Sequence, residues 1–298
     1  MVRGGPNEQA YRYQRPMYGW LGWIASGGQR GAVAWGLVLV TAASVVLLVY
    51  GTASWLAAKG ADPRWALTIL AMPGVFVDLT WVGPEALGVA LVVLGLRRWM
   101  RVQPGAVADR LVPDAAPDWG AVALFAAAGL CRETLLLVPF VLMVAAVLRR
   151  RLPQAIAAAL AAVPYVLWVL YLKVQIGAWP KGSVGGRLSV LPFGGMLDAS
   201  HGWASFDPFF AAALVGLAVA ALVWGKESGL RPLVAANLAL AATLGEPVWH
   251  RFPDFGRVLL LEGVLSLIAL LVARQVRRGQ AGTAEEADDE QPAATVTA

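Results

Sequence analysis

An arginine and a glutamate stand side by side, as Arg132 and Glu133, inside a stretch of the chain that is otherwise almost wholly apolar. The stretch covers residues 119–148 and consists mainly of Ala, Leu, Val and Phe. A charge at the centre of a bilayer costs roughly 2.5–3.5 kcal/mol by the lower estimates. The pair is therefore expected either at the membrane surface, at the tip of a hairpin, or beside an internal polar cavity.

Two acids, Asp78 and Glu85, interrupt a second apolar stretch at 65–96 in the same way. Carboxylates placed near guanidiniums can accept a proton from a hydroxyl while the guanidiniums bind a phosphate. Each break also has a structural interpretation. Glu85 follows Pro84, so it fits the first turn of a helix, where the dipole favours an anion. Arg132 and Glu133 fit a pair that neutralise each other.

Further charged side chains flank the aromatic N-terminal segment and a second short segment near residue 254. The first group is Arg12 and Arg15, and the second is Arg251, Asp254 and Arg257. An aromatic belt at the membrane interface would explain the first group. An interfacial ion-pair cluster would explain the second. Both groups are also suited to binding a phosphate.

The composition indicates a membrane protein. Of the 298 residues, 58% are hydrophobic and 14% are charged, and the mean hydropathy is +0.63. These values lie outside the usual range of soluble domains. The net charge of +5 suits anionic lipids and phosphorylated ligands, and nothing in the sequence indicates nucleic-acid binding. Cys131 is the only cysteine and the histidines are two, so a disulfide within the chain is excluded and a Cys- or His-rich metal site is not expected.

The apolar segments predict an all-α, polytopic membrane protein with about nine transmembrane or half-spanning helices. The segments are 32–58, 65–77, 86–96, 119–130, 135–148, 153–176, 208–224, 232–244 and 258–273. Residues 1–30 are expected to face outward, and residues 31–275 to form the membrane domain. Residues 276–298 are expected to form an acidic, disordered cytoplasmic tail.

Basic loops set the predicted orientation, because Lys and Arg are enriched on the cytoplasmic side. Four loops carry them: Arg97, Arg98, Arg101 and Arg110; Arg149, Arg150 and Arg151; Lys226 and Arg231; and Arg274, Arg277 and Arg278. With these loops inside, the breaks at 78–85 and 132–134, the loops 177–207 and 246–257 and the N-terminal segment all face outward. The candidate residues then share one side of the membrane.

Several short motifs resemble a known family. They are AYRYQRPMYGWL at 10–21, Asp78-Leu79-Thr80, Glu85-Ala86-Leu87 and Arg132-Glu133-Thr134. Together they resemble the GT-C-type glycosyltransferases, near the bacterial polyprenyl-phosphate-dependent mannosyltransferases and cell-surface glycopolymer proteins. The likeness extends over most of residues 8–275. It implies transfer of a sugar, with mannose as one candidate, from a polyprenyl-phosphate donor to a cell-envelope glycan or lipid on the outer face of the bacterial inner membrane.

The resemblance also implies roles for the charged residues. Candidates for binding the donor phosphate are Arg12, Arg15, Arg132, Arg251 and Arg257. Candidates for binding the acceptor or acting as general base are Asp78, Glu85 and Glu133. The reaction would be an inverting displacement in which cationic groups stabilise the departing lipid phosphate. A divalent cation is optional, because arginine can supply that charge.

In such enzymes an acid in the first outer loop, after the first helix, is the general base. This chain begins about where that loop would end, and Glu8 is the only acid before Tyr11. The first helix and outer loop are therefore expected to be missing from the chain. Two other functions remain open. Broken helices are also typical of a transporter or flippase for a lipid-linked anionic solute, and a catalytically incomplete membrane subunit would have the same composition.

Overall fold

A computed structural model describes residues 13–102, 111–180 and 188–289. Within these ranges the chain forms α-helices and short 3-10 helices, with no strand. The all-helical class predicted from the sequence is therefore confirmed.

The helices of the first half surround one central helix. They are α1 Pro16–Ala25, α2 Val33–Ala58, α3 Pro73–Trp81, α4 Glu85–Trp99, α5 Trp119–Cys131 and α6 Leu137–Leu148, with 3-10 helices at Arg30–Ala32, Pro63–Ala71 and Glu133–Leu136. Helix α4 is buried along nearly its whole length and packs against α2 and α5. Because α4 is fixed on both sides, its first residue, Glu85, is held firmly in place.

The second half contains the remaining helices. They are α7 Leu152–Leu160, α8 Val163–Ile176, α9 Gly194–Ser200, α10 Asp207–Trp224, α11 Arg231–Thr243, α12 Glu246–Trp249, α13 Phe252–Val258 and α14 Leu260–Asp289, with a 3-10 helix at Lys226–Ser228. Helix α14 continues past residue 275, so the boundary assigned to the membrane domain does not coincide with a helix end.

Three helical segments are long and apolar enough to cross a membrane: Arg30–Ala58, Leu152–Ile176 and Asp207–Trp224. A fourth is the pair Phe252–Val258 and Leu260–Arg278, if the two helices, bent by 59°, form one span. The membrane character expected from the composition is therefore confirmed at this level.

Several basic loops meet at one end of the molecule, which we call the basic end. Arg149, Lys226 and Arg231 line one cavity together with Leu111, which lies between α4 and α5. At the start of α5, the Asp118 carboxylate accepts a hydrogen bond from the Ala121 amide at 3.0 Å. These segments therefore share one end of the molecule.

Asp118 illustrates how the basic end is tied together. Partial burial raises the pKa of its carboxyl, but the hydrogen bonds from the Ala121 amide and from Arg98 outweigh burial and hold the pKa below its ordinary value. Arg98 reaches it from the end of α4. The ion pair between Arg98 and Asp118 therefore links the end of α4 to the start of α5.

The breaks at 78–85 and 132–134 lie at the other end, which we call the outer end. Helix α10 connects the two: the Asp207 carboxylate, at its start, accepts a hydrogen bond from the Phe252 amide at 2.9 Å. Trp224, at its finish, lines a groove with Arg274 and Arg277. Eighteen helical residues rise about 27 Å, so the two ends are separated by nearly a bilayer core.

Two close glycine contacts join helices at the outer end. A Cβ on Gly36 of α2 would collide with the Gly22 carbonyl of α1, and a Cβ on Gly74 of α3 would collide with the Gly256 carbonyl of α13. Small residues let helix backbones approach closely in membrane proteins. These contacts hold α1, which follows Arg15, against α2, and hold α13, which carries Arg257, against α3, the helix that carries Asp78.

Helix α1 was not expected, because the sequence analysis assigns no helix before residue 32. The helix begins at Pro16, and proline is favoured in the first turn of a helix. Its glycines and tryptophans interrupt the apolar pattern by which a helix is recognised in the sequence. The helix gains its stability by packing on α2.

Candidate functional site

Arg132 and Glu85 form a buried ion pair at the outer end. Arg132 Nη1 lies 2.6 Å from Glu85 Oε1, and the side chains are 12% and 4% exposed. Arg132 has an extended backbone between α5 and the following 3-10 helix, which turns its side chain towards the start of α4. The polar break at 132–134 in the apolar stretch is therefore the place where the Arg132 guanidinium contacts Glu85.

Glu133 makes a different ion pair, with Arg15. Arg15 donates from Nε to Glu133 Oε2 at 2.9 Å and from Nη2 to Oε1 at 2.7 Å, which is the bidentate geometry of a strong charge-assisted contact. Arg132 and Glu133 thus face two different segments of the chain. The structure shows each with its own partner, in place of the mutual neutralisation considered from the sequence.

Asp78 lies beside Glu85 and is completely buried. Its Oδ2 accepts a hydrogen bond from the Ala86 amide at 2.5 Å. Between the two acids, Val82 adopts a left-handed conformation and Gly83 follows. A Cβ on Gly83 would collide with both Asp78 Oδ1 and Glu85 Oε2, so these two oxygens converge on one point. We call Asp78 and Glu85 the carboxyl pair.

The two converging carboxyl oxygens are placed so that they can take part in proton transfer. Asp78 Oδ1 and Glu85 Oε2 are buried and lie near each other, and neither has another hydrogen-bond partner among the described residues. Two carboxyl groups so near each other favour sharing one proton, because both cannot be charged cheaply. Arg132 pairs with Glu85 and favours its charged form, which leaves Asp78 as the group able to exchange a proton.

Arg257 approaches the carboxyl pair from α13. Its guanidinium lies 5.5 Å from the centre of the Trp81 ring, at the end of the helix that carries Asp78. Its Nη2 is 3.7 Å from Asp254 Oδ1, a loose contact, and its Nε has no partner among the described residues. Arg257 is therefore the arginine of this site least committed to a carboxylate.

The structure brings together most of the residues singled out from the sequence. Asp78, Glu85 and Arg132 form one buried group, the Arg15–Glu133 pair adjoins it through Arg132, and Arg257 stands at its edge. Arg251 precedes α13 and is exposed, and no contact between it and these acids is seen in the described residues. Arg12 lies outside the described residues.

Tyr18 belongs to this site although the sequence did not identify it. Its hydroxyl lies 2.6 Å from Thr41 Oγ1, and it is near enough to Asp78 and Glu85 to interact with them electrostatically. In the sequence, Tyr18 is one of several aromatic residues in an interfacial segment and nothing distinguishes it from Tyr13. Only the packing of α1 on α2 shows its position.

Glu262 is a further buried acid, located in α14. It accepts a hydrogen bond from Ser266 at 3.1 Å, so its polar contact is with the next turn of the same helix. Among the described residues no group of three or more His, Cys, Asp and Glu side chains is arranged to hold a metal ion.

Comparison of the chain with protein-family models, with curated proteins and with solved structures finds no match. Any functional assignment therefore depends on the residues and the geometry described above.

Proposed function

We propose that this protein is a GT-C-type membrane glycosyltransferase. It moves a sugar, with mannose as one candidate, from a polyprenyl-phosphate donor to a cell-envelope glycan or lipid on the outer face of the bacterial inner membrane. The observation that carries the proposal is the carboxyl pair of Asp78 and Glu85. It is buried, lies beside arginines, and is located at the end opposite the basic loops.

In this proposal Asp78 is the general base. The Asp78 carboxyl first releases to water the proton that it shares with Glu85. Its Oδ1 then takes the proton from the acceptor hydroxyl, and the hydroxyl oxygen forms a bond to the anomeric carbon of the sugar. The bond from that carbon to the phosphate oxygen breaks, and the phosphate leaves with the electron pair. Attack from the opposite face inverts the anomeric configuration. Glu85, fixed by Arg132, holds the Asp78 carboxyl in position.

The arginines have graded roles. Arg257 is the main ligand for the donor phosphate, because its contact with Asp254 is loose and it lies at the edge of the site. Arg251 is proposed to extend this positive surface, and Arg12, which lies outside the described residues, is proposed as a further ligand of the phosphate. Arg15 and Arg132 are each held by a carboxylate, so they add positive potential and position the acids. Glu133 is then a positioning residue or an acceptor ligand.

Within this proposal the chain passes nine times between the two ends, in full or partial spans. Five of the passes, through α3, α4, α5, α6 and α11, have α-helices of only 9, 15, 13, 12 and 13 residues. Fifteen helical residues rise about 22 Å, less than the roughly 30 Å hydrocarbon core. Short passes would let water and a polar acceptor reach the carboxyl pair from outside.

The proposal predicts that Asp78→Asn abolishes most sugar transfer. The amide cannot accept the proton, and loss of a general base costs about 100-fold or more. Transfer from a radiolabelled polyprenyl-phosphate sugar would be measured with the purified protein in liposomes that contain an envelope glycan acceptor. Asp198→Asn, at an exposed position of the outer end, is the matched control and should keep wild-type transfer.

Wild-type transfer by Asp78→Asn, at equal amounts of folded protein, would overturn the assignment of the base. A wild-type protein that moves the intact lipid-linked sugar across the bilayer without transferring it would instead be a flippase. The same liposomes distinguish the two, because a flipped donor becomes accessible to a membrane-impermeant hydrolase.

A further inference from the structure

The basic end contains a cavity with three cationic side chains from different parts of the chain. Its volume is about 340 Å³, and Arg149, Lys226 and Arg231 line it. Arg149 follows α6, Lys226 begins the 3-10 helix after α10, and Arg231 begins α11. Three separate segments therefore place positive charge around one space.

No carboxylate among the described residues lines this cavity. Other arginines at the same end are paired: Arg151 lies 2.5 Å from Asp114, and Arg98 lies 3.3 Å from Asp118. Arg149, Lys226 and Arg231 are exposed and form no ion pair within the described part of the chain. The three like charges repel one another, and an anion bound in the cavity would offset this repulsion.

The rest of the lining is apolar. It consists of Leu111, Ala145, Leu148 and Pro232, together with Gly229. Leu148 is 79% exposed on the side of the cavity where α6 ends. The apolar surface adjoins the cations, so one ligand with a charged head and an apolar tail would satisfy both. The positive end of the α11 dipole adds to the attraction for an anion.

We propose that this cavity binds the headgroup phosphate of an anionic phospholipid, with an acyl chain lying along Leu148 and Pro232. Basic pockets between membrane helices on the cytoplasmic side are suited to such headgroups. The site is separate from the carboxyl pair and does not depend on the proposed glycosyltransferase activity. A bound lipid would join the ends of α6, α10 and α11.

The test measures lipid binding by the purified full chain. Native mass spectrometry would count the phosphatidylglycerol molecules retained at increasing lipid concentration, with phosphatidylcholine of the same chain length and inorganic phosphate as parallel probes. We expect phosphatidylglycerol to bind about tenfold more tightly than phosphatidylcholine. In Arg149→Gln/Arg231→Gln we expect its binding to weaken by about 30-fold, because two basic side chains that attract the anionic headgroup are lost.

Two further variants keep the test decisive. Arg64→Gln/Arg150→Gln removes the same charge from exposed positions that do not line the cavity, and it should bind lipid as the wild type does. Arg149→Lys/Arg231→Lys keeps the charge and should restore binding, which distinguishes loss of a site from misfolding. Equal weakening in both glutamine variants, or no preference for phosphatidylglycerol, would overturn the proposal. Displacement of the lipid by inorganic phosphate at equal concentration would also overturn it, since the ligand would then be a free phosphate.

Discussion

At the scale of single residues, the adjacent charges of Arg132 and Glu133 form two separate ion pairs. Arg132 joins α5 to the start of α4 through Glu85, and Glu133 joins the same turn to the segment before α1 through Arg15. Two opposite charges next to each other in sequence can therefore serve different neighbours when the backbone between them is extended. The cost of placing them in an apolar stretch is offset by these pairs.

The buried Arg132–Glu85 pair makes a testable contribution to stability. Glu85→Gln should lower the free energy of unfolding by roughly 3–5 kcal/mol, because it leaves an uncompensated buried guanidinium. The double variant Glu85→Gln/Arg132→Gln should be destabilised by less than the sum of the two single changes. Thermal unfolding in detergent micelles would measure this, with Glu246→Gln, exposed at the outer end, as the control.

Additive effects of the two changes would contradict this account, since independent residues give no coupling. A destabilisation of Glu246→Gln as large as that of Glu85→Gln would also contradict it, because the loss would then reflect any missing acid.

The sequence located the charged breaks but could not pair their members. The apolar stretches made Asp78, Glu85, Arg132 and Glu133 conspicuous, and all four lie in the candidate site. Their partners are 47 and 118 positions away along the chain, and residue type carries no information about contacts at that separation. Gly83 also gave no signal, because its role appears only once the two carboxyl groups converge on it.

Glycine contacts decide the arrangement at the scale of helices. Gly74 and Gly256 allow α3 and α13 to touch, which places Arg257 over Trp81 and near Asp78. Without that contact the most available arginine would move away from the carboxyl pair. Gly22 and Gly36 do the same for α1 and α2, and so bring Tyr18 to Thr41.

Gly256→Ala should therefore impair the site at a distance. Its Cβ would collide with Pro73, so α13 must shift away from α3, and close packing of this kind typically costs 1–3 kcal/mol when overfilled. We expect sugar transfer to fall at least tenfold while the overall helix content by circular dichroism stays unchanged. Gly216→Ala, in α10 where a Cβ meets open space, is the matched control and should keep full transfer.

Unchanged transfer by Gly256→Ala would show that the position of Arg257 does not matter for the reaction.

Helix boundaries themselves were largely predictable: the segments predicted at 32–58 and 208–224 correspond to Arg30–Ala58 and Asp207–Trp224. Helix α1 and the glycine contacts were not, because both depend on a neighbouring helix whose position the sequence does not give.

Charge distribution separates the two ends at the scale of the whole molecule. Arginines and a lysine from several loops collect at the basic end, and the carboxyl pair lies at the other. The positive-inside rule uses the same bias in sequence, so the orientation could be proposed before any coordinates. What the sequence could not supply was the meeting of Arg149, Lys226 and Arg231 around one cavity.

The orientation can be tested with single cysteines, because Cys131 is the only native cysteine and is buried. In intact cells a membrane-impermeant maleimide should label Ser205→Cys, at the outer end. Ala116→Cys, at the basic end, should be labelled only after the membrane is permeabilised, because the proposed orientation places this end inside the cell. The unsubstituted protein is the control and should stay unlabelled.

Labelling of Ala116→Cys in intact cells, with Ser205→Cys protected, would mean that the protein is inserted the other way round. Labelling of both from outside would show that these two exposed positions do not lie on opposite sides of the membrane.

The pairing of Arg132 and Glu133 with earlier residues also sets an order for biogenesis. At 5–20 residues per second, Glu85 waits roughly 2–9 s for Arg132, which is 47 positions later. Arg15 waits roughly 6–24 s for Glu133, which is 118 positions later. During that interval the early charges have no ion-pair partner from this turn and must stay hydrated. We therefore expect the early helices to insert before Glu85 and Arg15 are buried by their partners.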